Sequence, residues 1–176
     1  MSDTDRVLVA YGTKHGATAE IAEAIAKWLS SAGIEVDAQR ARQVRSLDPY
    51  RAVVLGSAVY VGRWRSDAMR LLRRPELRER EVWLFSSGPV GEDKGDPEQR
   101  ERLTRPRRVQ RIAADLGAHE HVVFGGMVAD DAGFIRKRMA RNMPPELRDR
   151  RDWGAIQAWA RTIAAALTDG PLAPGS

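Results

Sequence analysis

The sequence predicts an α/β fold in three layers, with a doubly wound parallel sheet of five strands in the order 2-1-3-4-5. Strand patterns alternate with helical patterns along the chain, which is typical of a parallel sheet covered by helices on both sides. The short inner strands are apolar on both faces, as buried parallel strands are. Right-handed connections between such strands favour the stated order as one common solution.

The first three elements follow from residues 6–41. Residues 6–11 form an apolar run and predict a buried strand. Residues 18–32 predict a helix, because Ile21, Ile25, Trp28, Leu29 and Ala32 recur at helical spacing and Gly33 follows as a stop signal. Residues 34–41 alternate weakly between apolar and polar, which predicts a second strand at the outside of the sheet.

The middle of the chain predicts two more strands around a short helix. Residues 52–57 and 81–87 are apolar strand patterns, and residues 66–74 predict a helix with Ser66 as its N-cap and Pro75 after its end. Residues 88–105 are polar and rich in Gly and Pro, so they predict a surface loop.

The remaining elements complete the alternation. Residues 107–116 predict a helix closed by Gly117, residues 120–124 predict the fifth strand, and residues 127–151 are less regular. Asp152 is the expected N-cap of a last helix whose apolar stripe contains Trp153, Ile156, Trp159, Ala160, Ile163 and Leu167. We expect a single domain over residues 1–170 and a frayed tail over residues 171–176.

Composition excludes several kinds of chemistry. The chain of 176 residues has no cysteine, so disulfides, thiolate nucleophiles and iron–sulfur clusters are ruled out, and redox chemistry would need an organic cofactor. No apolar run has the length of a membrane span and residues 1–6 are polar, so we expect a cytoplasmic location. The net charge is +5, carried mostly by arginine, but no nucleic-acid-binding signature accompanies it and no nucleic-acid partner is expected.

The segment from Gly12 to Thr18 predicts a phosphate site between the first strand and the first helix. The first N–H groups of a helix lack partners within the helix, and its dipole favours an anion there. Gly12 and Gly16 allow a tight turn, while Thr13 and Thr18 add hydroxyl donors. The segment is neither a Walker loop, because Ala17 follows Gly16, nor a three-glycine dinucleotide fingerprint.

The loops after the first, third and fourth strands, Gly12–Thr18, Ala58–Trp64 and Ser87–Gly95, would meet where the strand order switches. Together with the flanking Ser57 and Ser86, these loops resemble those of flavodoxins. The first loop is similar to the FMN phosphate loop of that family, and the other two occupy the places of the loops that flank the isoalloxazine ring. The resemblance therefore implies a flavodoxin-like fold and FMN as cofactor. The cofactor-binding residues it implies are Thr13, Lys14, His15, Gly16, Ala17, Thr18, Ser57, Ala58, Val59, Tyr60, Val61, Gly62, Ser87, Gly88, Pro89, Val90 and Gly91.

A narrower resemblance concerns residues 56–64, followed by Ser66, and the Asp152–Trp153 pair that opens the last helix. These are similar to the menaquinone-dependent protoporphyrinogen IX dehydrogenase group, which carries an extra segment after its fifth strand. The resemblance implies Tyr60 as a ring-stacking residue and Trp64 as a rim residue, with filling of the core or edge as the alternative. No catalytic acid or base and no metal ligand is assigned.

Two departures from electron-carrier flavodoxins favour an oxidoreductase. The third loop, Ser87-Gly88-Pro89, has no aromatic residue to cover the ring, and the chain is basic where carriers tend to be acidic. We therefore expect an FMN-dependent oxidoreductase that passes electrons between a porphyrinogen-like or quinone substrate and a quinone. A one-electron carrier with a redox protein partner, and a flavin-free binding domain, stay open as alternatives.

Residues 133–143 combine an apolar side with several basic residues. Such a segment can rest on an anionic membrane surface, where quinones are found, so a peripheral location at the inner membrane face is one interpretation. A lid over the flavin and a packed surface helix are the other two.

Overall fold

A computed structural model describes residues 5–88, 97–125 and 151–169. Its sheet has the order β2-β1-β3-β5-β6, in which each neighbouring pair is parallel. A further short strand, β4, pairs antiparallel with β3 and lies off this path. The six strands are β1 (Arg6–Gly12), β2 (Val36–Arg40), β3 (Tyr50–Tyr60), β4 (Arg63–Trp64), β5 (Glu81–Gly88) and β6 (Glu120–Gly125).

Five α-helices connect or follow these strands in the described ranges. They are α1 (Ala17–Ser31), α2 (Ser66–Leu72), α3 (Pro97–Thr104), α4 (Arg107–Leu116) and α5 (Trp153–Thr168). Short 3-10 turns at Ala41–Gln43 and Pro75–Glu79 precede β3 and β5. Counting the parallel strands alone, the predicted order 2-1-3-4-5 and the doubly wound α/β class are confirmed.

Two strands and one predicted loop have different bounds in the structure from those predicted. The third predicted strand, residues 52–57, extends to Tyr50–Tyr60 because it turns back into β4 and both arms of this hairpin find partners. The second predicted strand is shorter than residues 34–41 and covers Val36–Arg40 only. The predicted loop over residues 88–105 was partly wrong, since α3 lies within it. The helix α3 has few apolar residues, so it has no apolar periodicity from which it could be predicted.

Helix ends give one correction and two confirmations. Arg65, and not Ser66, is the N-cap of α2, so Ser66 is its first helical residue. Asp152 caps α5 as predicted, its carboxylate accepting a hydrogen bond from the Ala155 amide at 3.0 Å. The helix over residues 107–116 is confirmed, and it ends before Gly117, which is left-handed with a φ of 65°.

The sheet separates two apolar cores. On one side, α1 and α5 cover the sheet through Ile21, Ile25, Leu29, Ile156 and Ile163, all fully buried. On the other side, α2 and α4 cover it through Leu71, Leu72 and Val109, joined by Leu8, Leu55 and Leu84 from the strands. Alternate residues of β1 and β3 point into opposite cores, which explains why these strands are apolar throughout.

The last helix matches the predicted stripe except at its start. Ile156, Trp159, Ala160, Ile163 and Leu167 are buried, whereas Trp153 is 38% exposed. The Trp159 indole N–H donates to the Glu120 carboxylate at 2.8 Å, which anchors α5 to β6.

Several predictions fall on residues that the structure leaves undescribed. The lid or membrane segment at residues 133–143, most of the irregular stretch at 127–151 and the whole tail at 171–176 lie outside the described residues. Among the helices that are described, none is long and apolar enough to cross a bilayer.

Candidate functional site

The loop between β1 and α1 leaves the beginning of α1 open. Gly16 is the N-cap residue, with a φ of 92°, and no side chain of the described residues caps the helix. A Cβ at Gly16 would meet no atom within 4 Å, so space lies beside this backbone. The Gly16 amide itself donates to Thr13 Oγ1 at 3.0 Å, which closes the loop and leaves the Thr13 hydroxyl proton for another acceptor. This geometry suits an anion at the helix N-terminus.

Charged side chains of both signs lie near this helix end. Glu20, in the first turn of α1, forms an ion pair with Arg151, whose side chain is only 7% exposed and whose guanidinium lies 4.8 Å from the Trp153 ring. The ion pair offsets a carboxylate that would otherwise repel an anion at this helix end. Arg65 and Asp67 lie beside Gly12, since a Cβ placed on Gly12 would be 3.0 Å from Arg65 Cβ and 2.9 Å from Asp67 Oδ1.

The β3–β4 hairpin has a two-residue turn, Val61–Gly62, between the paired residues Tyr60 and Arg63. Both turn residues have positive φ, 48° for Val61 and 66° for Gly62, as tight hairpin turns of this length require. A β-branched residue is unfavourable in this conformation, and Val61 is also 90% exposed. The turn therefore presents an apolar tip to solvent at an energetic cost.

The predicted loops meet at the carboxyl edge of the sheet. The His15 and Tyr60 rings are 6.2 Å apart in an edge-to-face arrangement, which joins the first loop to the hairpin. At the end of β5, a Cβ on Gly88 would lie 3.5 Å from Val59 Cβ, which joins the third loop to the same hairpin. Thr18, Ser57 and Ser87 are buried behind this edge. Pro89, Val90 and Gly91 lie outside the described residues.

Beneath the hairpin, a buried polar chain links three strands. The Trp64 indole N–H donates to Ser86 Oγ at 2.8 Å, and Ser86 Oγ lies 2.9 Å from His121 Nε2. Burial, with a smaller effect of Arg105, lowers the pKa of His121 from 6.5 to about 4, so this imidazole is neutral at pH 7. Of the two alternatives for Trp64, a rim residue of the flavin or filling of the core, the structure favours the second, since its side chain is 5% exposed and donates to this chain of hydrogen bonds.

A cleft of about 420 Å³ lies beside the hairpin, between α2 and the beginning of α4. Its apolar lining comes from Trp64, Met69, Pro106 and Val109, together with the Gly62 backbone. Four arginines complete the lining, namely Arg63, Arg73, Arg107 and Arg108.

A sequence model of the flavodoxin domain family matches residues 8–143. The chain belongs to this family. The match covers the first loop, the hairpin and the third loop, and flavodoxins carry FMN, so FMN is the cofactor of this flavodoxin domain. The expected flavodoxin-like fold is thereby confirmed from sequence as well as from topology.

Solved structures agree with this assignment at the level of the fold. The flavodoxin domain is similar to a flavodoxin from the domain Archaea, with 12% identity, 93% of this chain and 99% of that chain covered and a TM-score of 0.60. It is similar to oxidised flavodoxin 2 from Bacillus cereus, with 18% identity, coverage of 93% and 98% and a TM-score of 0.57. No curated protein matches the chain significantly.

A larger protein also contains this fold. The flavodiiron core of Flv1 from Synechocystis sp. PCC6803 is 16% identical over 97% of this chain, with a TM-score of 0.63. This chain spans 38% of that protein, so the likeness concerns one part of it.

The residues present fit FMN at the phosphate end of the site. An uncapped helix N-terminus, a left-handed glycine without a neighbour and a threonine hydroxyl are what a bound phosphate needs. Thr13, Gly16, Ala17 and Thr18 would hold the phosphate, and residues 57–62 would flank the ring. Bound there, FMN supplies electron transfer that no side chain of this chain can carry out.

Sequence reasoning missed three features of the site. The hairpin strand β4 escaped because it has two residues and no alternation to detect. Arg151 was not predicted, because the sequence between β6 and α5 predicts no helix or strand from which its position could be inferred. The arginines of the cleft were visible only as overall basic charge, since they come from three separate elements.

Proposed function

We propose that this flavodoxin domain protein is an FMN-dependent oxidoreductase that passes electrons between an organic substrate, either porphyrinogen-like or a quinone, and a quinone acceptor. The observation that carries the proposal is the cleft beside the hairpin. A protein that only relays electrons between proteins needs no cavity next to its cofactor, whereas an enzyme must hold a small molecule there. A volume of about 420 Å³ lies within the range of ligand pockets.

Other features support the same reading. The exposed Val61 offers an apolar contact at the tip of the hairpin, beside the Gly62 that lines the cleft. Residues 87–95, the predicted third loop, contain no aromatic residue in their sequence that could cover the ring. The narrower similarity of residues 56–64 to the menaquinone-dependent protoporphyrinogen IX dehydrogenase group points to the same pair of substrates.

The chain's own residues would bind and orient the reactants. Thr13 and the amides at the start of α1 would fix the phosphate, and the hairpin would fix the ring through its backbone. The Trp64–Ser86–His121 chain would hold the hairpin against β5 and β6, because it ties β4 to both strands. We assign none of these three residues to proton transfer with the substrate.

The test uses the purified protein loaded with FMN. Its absorption spectrum is recorded before and after reduction by dithionite, and then after addition of menadione under anaerobic conditions. We expect menadione to reoxidise the protein faster than it reoxidises an equal concentration of free FMN. If the FMN-loaded protein reacts with no quinone faster than free FMN does, the proposal is wrong.

The alternative is a one-electron carrier, favoured by the near-complete coverage of free-standing flavodoxins. A reductive titration separates the two functions. A carrier would show widely separated potentials for its first and second electrons and little acceleration by menadione. The proposed oxidoreductase would show closely spaced potentials together with quinone-dependent turnover.

A further inference from the structure

We infer that the cleft between α2, α4 and the β3–β4 hairpin is a binding site for a compact organic polyanion, a molecule with two or more carboxylate or phosphate groups on an apolar body. The inference rests on the charges and shape of the cleft. It deepens the proposed function by naming a chemical class of ligand, although binding itself does not require that function.

Four arginines give the cleft a positive charge. Arg63, Arg73, Arg107 and Arg108 line one cleft, and no acidic residue of the described ranges lines it with them. Among the described residues, none of the four takes part in an ion pair. Like charges held close together repel one another, and an anion between them relieves that repulsion.

The four arginines come from three different parts of the fold. Arg63 comes from the hairpin, Arg73 from the end of α2, and Arg107 and Arg108 from the first turn of α4. Guanidinium groups from three directions can bind separate acidic groups in paired hydrogen bonds, which arginine does better than lysine. One phosphate ion would satisfy only part of this lining, so the arrangement favours a polyanion.

The first turn of α4 adds to the positive electrostatic potential of the cleft. This helix has ten residues, its N-cap is Pro106, and neither a capping side chain nor an acidic residue occupies its first turn. Its open amides and dipole favour an anion close to Arg107 and Arg108.

The apolar part of the cleft specifies the body of the ligand. Met69, Val109 and Pro106 line it together with the buried Trp64. A bare inorganic ion gains nothing from these surfaces, whereas a small ring or chain buries apolar area against them. The ligand is therefore an organic acid in which apolar and anionic parts are adjacent.

Binding is tested on the FMN-loaded protein by isothermal titration calorimetry. The probe is trimesate, a benzene ring with three carboxylates, and benzoate is the monoanionic comparison. Trimesate is expected to bind at least tenfold more tightly than benzoate. Equal affinities, or no heat from trimesate at millimolar concentration, would overturn the inference.

Arginine variants locate the site. Arg63→Gln and Arg107→Gln should each weaken trimesate binding about tenfold or more, since each removes a hydrogen bond to a charged group. Arg111→Gln is the matched control, because it lies exposed on the same helix α4 but does not line the cleft. A loss in the control as large as in Arg107→Gln would show that only the general basic charge attracts the probe, and the inference would be wrong.

The readout separates this inference from the proposed oxidoreductase. Trimesate binding that depends on Arg63 and Arg107 supports the site even if no quinone is turned over. Quinone turnover without such binding supports the enzyme and rejects the polyanion site.

Discussion

We expect protonation of His121 to destabilise this flavodoxin domain at acid pH. Its imidazole is buried between Trp64 and Ser86, and burial lowers its pKa from 6.5 to about 4. Because the unfolded chain binds the proton more readily, the stability that depends on the neutral ring is complete above pH 6.5. It is lost progressively as the pH falls from 6.5 toward 4. Nδ1 has no hydrogen-bond partner among the described residues, so no other group there compensates a gained proton.

The magnitude follows from these two values. Between pH 7 and pH 5, the unfolded imidazole becomes almost fully protonated while the folded one stays mostly neutral. The free energy of unfolding therefore falls by about 2 kcal/mol from this residue alone, according to the linkage relation. His121→Gln removes the titrating group. Between pH 7 and pH 5, the free energy of unfolding of this variant should therefore fall by about 2 kcal/mol less than that of the wild type.

Urea unfolding followed by far-ultraviolet circular dichroism measures the effect at pH 7, 6 and 5. The FMN concentration is held constant, and the quantity compared is the change in unfolding free energy with pH, not its value at one pH. His119→Gln provides the same substitution at a site whose side chain is 48% exposed. If wild type and His121→Gln lose equal stability between pH 7 and pH 5, the assignment of acid sensitivity to His121 is refuted.

Three further substitutions test packing, strain and cofactor binding. Gly56→Ala places a Cβ 1.9 Å from Phe85 Cζ, so it should cost about 1–3 kcal/mol or more, and Phe85→Leu in the same chain should recover part of this loss in thermal unfolding. Strictly additive losses would contradict that prediction. Val61→Asn should stabilise the protein to urea by about 1 kcal/mol because asparagine tolerates a φ of 48°, whereas Val61→Ile should bring no gain. Thr13→Val removes the oxygen that accepts the Gly16 amide, so FMN should bind about fivefold to thirtyfold more weakly by fluorescence titration. Thr162→Val on α5 should leave FMN affinity unchanged, and an equal loss in both threonine variants would count against the proposed phosphate site.

Periodicity and strand composition were sufficient to predict the sheet. The apolar runs of β1, β3 and β5 are buried on both faces. An uninterrupted apolar run predicts such burial without any information about neighbours that are distant in sequence. Right-handed connections then leave few topologies, which is why the strand order could be predicted. The first loop was predictable for a similar reason, because a glycine-rich turn before an amphipathic helix leaves the same amides open in any protein.

Features that depend on residues distant in sequence could not be predicted. The neighbours of His121 come from β4 and β5, about 57 and 35 residues away along the chain, and nothing in the local pattern brings them together. The cleft likewise combines residues of β4, α2 and α4. These elements come together because both helices pack on the same core. Such sites become visible only after the strands are ordered.

Helices α1 and α4 return to the sheet at the edge opposite the hairpin and the first loop, through short connections before β2 and β6. Since the chain has no native cysteine, a single thiol introduced into either connection would be unique. A fluorophore or an electrode linker attached there would stay remote from the cofactor loops. The topology thus provides an attachment point for recording electron transfer that leaves the carboxyl edge of the sheet accessible.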